Sequence, residues 1–366
     1  MKCYICDTAL TKENETEEHI LLNAIGGKLK SRTLICKDCN SKLGSDIDNK
    51  LAQQLNPIAN FLDIKRDRGK PQNVKGKYEN KEIIIEPGGK MKLARPYIDK
   101  GEKVVHIEAS TMGEATKVLR GLKRNHPDLD IEKAIKNAKK SKDYLPSVSV
   151  GMNFGGKESK QAICKMAVNF YILNGGDPTT IKHFLPFIQG KETEAEVYYF
   201  YPRAEVFYKG EKDVMHSLVL VGDPVKNELY VYIELFNEFK MLVFLDRKYN
   251  LEPIYNSYHY NVVTNEEVEY DTPIRIAPKD LRRYSLKDID ESKFKERMRI
   301  LFQRIDTVST DRRIHEITTK AMEEMSKRFP QQENPVFTKE MLAYLSKRVA
   351  DEFVLSFQHR LFKNEN

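Results

Sequence analysis

The chain has 366 residues, 40% of them hydrophobic and 31% charged, with a formal net charge of +7. That length holds two or three domains with ample core, and the composition excludes a wholly disordered chain. No apolar run approaches the ~20 residues that span a bilayer as a helix, so no membrane partner is expected, while the mild basic excess suits a polyanionic partner without identifying one.

In chain order, the first elements are two C-x-x-C turns, Cys3-Tyr4-Ile5-Cys6 and Cys36-Lys37-Asp38-Cys39. Each presents two thiolates from one tight loop, so together they offer the tetrahedral sulfur cage that zinc prefers. Lys2 and Cys3 lead straight into the first turn, so no secretory leader is expected, and the reducing cytoplasm is the expected compartment. Between the turns lie Glu17-Glu18-His19-Ile20 and Gly26-Gly27, and Asn40 follows the last cysteine. Residues 1–56 therefore read as a metal module too short for a large core, whose folding draws on metal binding. Leu43, Ile47, Leu51 and Leu55 fall at helical spacing and predict a helix that Pro57 ends or bends. The basic stretch from Lys65 to Pro71 reads as a linker or solvated loop.

Residues 72–280 read as an α+β domain for targeting, sensing or regulation. Strands are expected over 82–86, 103–108, 195–201, 204–208, 216–221, 228–236 and 239–246. Helices are expected over 112–125 and 131–140, and an amphipathic helix over 158–174 is stopped by Gly175-Gly176. A mainly antiparallel sheet with helices against it follows. Cys164, outside both knuckles, reads as a small buried hydrophobe. Tyr198, Tyr199, Tyr201, Tyr230 and Tyr232 alternate as packed strand residues do. Residues 284–366 read as a helical region, with Phe294, Met298, Ile300, Leu301 and Ile305 as apolar positions and further helices over 311–328 and 338–362.

The remaining histidines (His106, His126, His183, His216, His259, His315, His359) form no ligand spacing and read as structural or exposed. Lys117, Arg120, Lys123 and Arg124, then Lys133, Lys136, Lys139 and Lys140, read as solvated helix faces, although such rows can track phosphates.

Hydrolysing a phosphodiester needs an activated water, a cation to offset developing charge, and positioning. A neutral histidine can take a proton from water near pH 7. His19 is the candidate base, Glu18 the candidate ligand for a hard cation, and Asn40 a second oxygen ligand. Asn40 also opens a helix, whose free N–H groups favour an anion.

Glu18-His19-Ile20, Gly26-Gly27, Cys36-Lys37-Asp38-Cys39-Asn40 and Gly44-Ser45-Asp46-Ile47-Asp48 resemble the HNH endonuclease family, in its zinc-knuckle branch. The resemblance covers roughly the first fifty residues. It implies a ββα-metal fold in which Cys3, Cys6, Cys36 and Cys39 hold structural zinc. His19 would be the general base, and Glu18 and Asn40 would hold catalytic magnesium or manganese. The family's middle asparagine, which orients the base, is Thr33 here, and Asn23 would substitute by holding a strand or loop. Asp48, two helical turns past Asn40, would add a carboxylate to the cation site.

The expectation is therefore an α+β protein that cuts DNA, with RNA left open, in a phage-defence or mobile-element setting. A homodimer or a regulatory partner fits such modules. The competing reading is a zinc-dependent nucleic-acid-binding or regulatory protein whose nuclease centre has decayed.

Overall fold

The protein is described from a computed structural model covering residues 1–101, 104–141, 145, 147–330 and 336–361. Lys103, expected to open a strand, and Phe362, expected to close the last helix, lie outside the described residues, as does the His359 side chain.

The metal module runs β1 (Glu18–His19), β2 (Lys30–Ser31), α1 (Lys37–Leu43), a π-helical turn over Gly44–Asp48, and α2 (Asn49–Phe61). Next come β3 (Val74–Tyr78), β4 (Lys81–Ile85), β5 (Met91–Leu93), β6 (Tyr97–Lys100), β7 (Val105–Glu108), α3 (Met112–Lys123) and α4 (Ile131–Lys136). The buried helix α5 (Lys157–Leu173) leads through α6 (Leu185–Ile188) into β8 (Val197–Phe200), β9 (Met215–Asp223), β10 (Glu228–Leu235), β11 (Phe239–Asp246), β12 (Ile254–Asn261) and β13 (Glu266–Glu267). The chain ends in α7 (Pro278–Arg283), β14 (Ser285–Leu286), α8 (Glu291–Arg328) and α9 (Lys339–Leu361). This is the expected mixed α+β class, with antiparallel sheets and a helical C-terminal region.

Two compact units form, and they cut across the three consecutive segments read from sequence. One comprises Met1–Gln72, Pro87–Gly89 and Met152–Asp306, so the metal module shares a core with the large sheet. The other comprises Asn73–Glu86, Lys90–Gly151 and Thr307–Asn366.

In the first unit a seven-stranded sheet runs β13-β12-β9-β10-β11-β8-β14, every pair antiparallel. Strand alternation puts Val219, Val221, Tyr230, Tyr232, Leu242 and Phe244 into one core cluster,. The complementary positions Leu218, Leu220, Val231, Ile233 and Val243 are as deeply buried, and α5 packs across β8 to β11. α5 also packs on the π-helical turn and α2. A helix covered on both sides is buried all round rather than amphipathic, and Gln161 to Tyr171 are all buried, Cys164 among them.

Several elements differ from expectation. Pro57, expected to end or bend its helix, does not end it: α2 continues to Phe61, because Leu51, Leu55, Ile58 and Ala59 pack into the core and offset the missing N–H,. Residues 204–208 are not a strand; Glu205 there meets the ammonium groups of Lys209 and Lys240 instead. The first two helical stretches of the C-terminal region join into one 38-residue α8, with Val308 buried inside the polar Thr307 to Thr310 stretch.

In the second unit β3-β4-β5 form one sheet and β6-β7 a hairpin. α3 starts on Thr111, whose hydroxyl accepts from the Glu114 N–H while the Glu114 carboxylate accepts from the Ser110 N–H,. Lys117, Arg120, Lys123 and Arg124 are exposed on it. α8 and α9 are laced by Arg313 to Ser356 and by Arg348 to Glu324.

Candidate active site and metal centre

Backbone bonds close the metal centre before any side chain acts. The Cys3 N–H donates to the Thr8 carbonyl, Asp7 turns back onto Cys3, and the Tyr4 N–H reaches the Leu34 carbonyl. Cys36 caps α1, whose first turn carries Cys39. The four Sγ atoms lie within 4.8 Å of one another. Cys6 and Cys36 sulfurs are 3.7 Å apart, close to the ~3.8 Å edge of a tetrahedron built on Zn–S bonds of ~2.3 Å. The Thr8 hydroxyl beside Cys6 lowers its thiol to about 7, while burial raises the Cys3 and Cys39 thiols,. The four cysteines thus fit zinc.

The glycine pair shapes the loop between the strands. Gly26 closes a short turn at φ +91°, and a Cβ there would also press on Ile64,. At Gly27 a Cβ would lie 2.2 Å from the Leu21 carbonyl oxygen. The chain therefore folds tightly back, and β1 and β2 pair with Glu18 opposite Ser31 and His19 opposite Lys30.

Adjacent strand residues point to opposite faces, so Glu18 and His19 part company. The His19 imidazole faces outward with its side chain 25% exposed, and its Nε2 lies 3.3 Å from Asp67 Oδ2. Lys28 Nζ binds the other Asp67 oxygen at 2.5 Å, and Lys30 Nζ binds Glu17 at 2.9 Å. The ammonium of Lys28 and the imidazole beside it hold the Asp67 carboxyl below its ordinary value. Arg32, also on this arm, is largely exposed.

Glu18 faces inward and is 2% exposed. Its Oε1 accepts from Lys165 Nζ at 2.6 Å and from the Asn169 amide at 2.9 Å. Lys165 Nζ also reaches Asp48 Oδ2 at 2.5 Å, and Tyr4, within the first knuckle, donates to Asn169 Oδ1 at 2.7 Å. Lys165 and Asn169 sit one turn apart on α5 and so share a face. Burial raises both the Glu18 and Asp48 carboxyls. Burial also opposes the charge on Lys165, but Asp48 and Glu18 outweigh it and raise the ammonium, which keeps its proton,. Two acids share one cation here.

The structure thus brings Glu18 and Asp48 together on Lys165, and places His19 on the opposite face. Asn40 turns its amide to Thr16 Oγ1 and the Glu17 carbonyl, at 3.1 and 3.3 Å, pinning the start of β1 to α1. Thr33 bonds Ser31 rather than the imidazole. Asn23 Oδ1 accepts the Asp67 N–H at 2.9 Å and so holds the loop beside His19. Sequence reasoning missed Asp67, hidden in a stretch that resembles a linker. It also missed Lys165 and Asn169, although a lone lysine inside the apolar run Ala162 to Val168 was a signal. His216 and His259 are buried and His106 is exposed, as expected of histidines outside the site.

Residues 3–56 match the family described as HNH endonuclease. No curated protein and no solved structure matches the chain. The matched stretch covers the four cysteines, His19 and most of α2, and it points to a nuclease whose substrate is a nucleic acid. No helix among the described residues is long and apolar enough to cross a membrane.

Proposed function

We propose that the chain is a metal-dependent HNH-type endonuclease that hydrolyses phosphodiester bonds in DNA. The observation that supports this most is the outward imidazole of His19, on a strand stapled by four cysteines and flanked by Lys28, Lys30 and Arg32. In this reading His19 takes the proton of the attacking water. The basic arm positions the phosphate, and the products carry a 5′-phosphate and a 3′-hydroxyl, as the resemblance implies.

Glu18 and Asn40, with Asp48, are assigned to the divalent cation. Two carboxylates and an amide oxygen suit a hard ion, and Asp48 Oδ1 is buried without a hydrogen-bond partner. Glu18 and Asp48, however, are turned inward onto the Lys165 ammonium while His19 faces outward from the strand that carries Glu18, so these residues do not fit a cation that shares a phosphate with His19,. The Lys165 ammonium competes for the same carboxylates. A phage-defence or mobile-element setting rests on the resemblance alone, as does pairing of two modules to cut both strands. The ~310 residues beyond the module are assigned to choosing or restraining the target.

The Glu18–Lys165 pair favours a second reading: a nucleic-acid-binding protein whose cation site has been replaced by an internal ion pair. Cleavage of supercoiled plasmid with magnesium or manganese separates the two. The first reading expects nicking by the wild type and none by His19→Ala. Binding without cleavage in either protein supports the second.

A further inference from the structure

We propose that Asp67 is the positioning residue for His19, filling the role that Thr33 does not. The proposal rests on His19 acting as the base and names what holds it. An ionised carboxylate only accepts hydrogen bonds, so with Asp67 Oδ2 3.3 Å away, His19 Nε2 is the nitrogen that carries hydrogen. The lone pair on Nδ1 is then the one available to a water. This is the logic of an acid–histidine pair, in which the carboxylate fixes the ring's tautomer and rotation.

Asp67 is itself anchored from the hairpin that bears His19. Asn23, four residues beyond the base, accepts the Asp67 backbone N–H at 2.9 Å. Lys28, on the same hairpin, takes Oδ1 at 2.5 Å, while Oδ2 meets the imidazole at 3.3 Å and, more distantly, Lys30 Nζ at 3.8 Å. One hairpin therefore sets both partners, and the loop crosses to it over a distance in sequence that no local motif would reveal. A chance surface ion pair has no need of the Asn23 tie. Asn23 thus acts at one remove, by holding the loop that holds the ring.

The test compares Asp67→Ala, Asp67→Asn, Asn23→Ala and His19→Ala in manganese-dependent plasmid cleavage, with kcat, KM and half-saturating manganese measured separately. The tautomer of His19 is read in parallel by nitrogen-15 NMR. Asp67→Ala should lower kcat about 10- to 100-fold while KM and half-saturating manganese stay within about twofold. Asp67→Asn has one oxygen, which Lys28 takes, so its amide N–H faces Nε2 and kcat should fall at least as far as in Asp67→Ala,. Asn23→Ala should fall between the wild type and Asp67→Ala, and combining it with Asp67→Ala should add nothing. The wild type should show the Nε2–H tautomer and Asp67→Ala a mixture, whether or not cleavage is seen.

Unchanged kcat and tautomer in Asp67→Ala overturn the proposal while a dead His19→Ala leaves the nuclease reading standing. A deficit erased by excess manganese overturns it too, by making Asp67 a cation ligand. Equal cleavage by wild type and His19→Ala removes the base, and the proposal with it.

Discussion

Lys165 Nζ lies 2.6 Å from Glu18 Oε1, so the strand carrying His19 is fastened on its inner face to a helix far along the chain. The same ammonium holds Asp48, and Asn169 on the same helix face ties Glu18 to Tyr4 between two zinc-type cysteines. The metal module is completed by α5 and draws its charge balance from it. Residues 1–56 alone would leave two buried acids without a partner.

Lys165→Met should therefore be severely destabilising. Removing one member of a buried ion pair costs about 3–5 kcal/mol, because the remaining charge stays unpaired. The urea midpoint should fall accordingly, and Glu18→Gln combined with Lys165→Met should recover part of the loss. If Glu18 and Asp48 can hold a cation, manganese should raise the midpoint of Lys165→Met and leave the wild type nearly unmoved. A midpoint unchanged by Lys165→Met would show that the triad is not balanced as drawn.

The cysteine cluster makes a separate prediction. Purified protein should release one zinc ion per chain when its thiols are titrated with a mercurial. Cys39→Ser should release little and melt earlier, because metal binding and folding are coupled in such small modules. Protein that melts identically with and without chelator, and releases no zinc, would remove the staple.

The cysteine cage and the helix after the second knuckle were legible in sequence because each is set by residues close in the chain: paired thiols, and leucines at helical spacing. The strands over 215–246 were legible because apolar runs alternate with turn residues. β12 was not, since Tyr255 and Tyr258 stand three apart around Asn256-Ser257 and break the period-two alternation that marks a strand,. The partners of Glu18 and His19 were illegible for a different reason. Lys165 and Asp67 reach the site through tertiary packing, and neither belongs to a local pattern. The two compact units, which cut across the three segments read from sequence, were not legible either, because burial of α5 on both sides depends on what the fold brings to it.

Contacts to the phosphate backbone should be readable in the salt dependence of DNA binding. With His19→Ala as background to prevent cutting, Lys30→Gln and Arg32→Gln should each reduce the slope of log affinity against log salt by about one. Lys117→Gln, on the exposed face of α3, should leave the slope unchanged if that face is merely solvated. Fluorescence anisotropy across a salt series measures both. Equal slopes for all three variants would move the nucleic-acid surface away from the hairpin.

The pH dependence of stability should carry the signature of a histidine locked neutral. His216 on β9 is fully buried, and burial pushes its imidazole down to about 4. Its Nε2–H donates to the Ile25 carbonyl at 2.9 Å while Nδ1 accepts from the Phe236 N–H at 3.2 Å. Protonating Nδ1 would abolish the second bond and place a charge in the core. The folded value lies below the unfolded value of 6.5, so between about pH 6.5 and 4 the unfolded chain binds the extra proton. Stability contributed by neutral His216 is complete above pH 6.5 and falls as pH drops toward 4, by about 3 kcal/mol in all. His259, buried and also held near 4, adds in the same direction. His216→Gln keeps an amide near the Ile25 carbonyl but cannot titrate, so it should flatten the urea midpoint between pH 4 and 6.5 by close to one proton's worth. It should also lower the midpoint at pH 7. A variant that keeps the full wild-type slope would mean that the link between β9 and the Gly26 turn is not closed by a neutral imidazole.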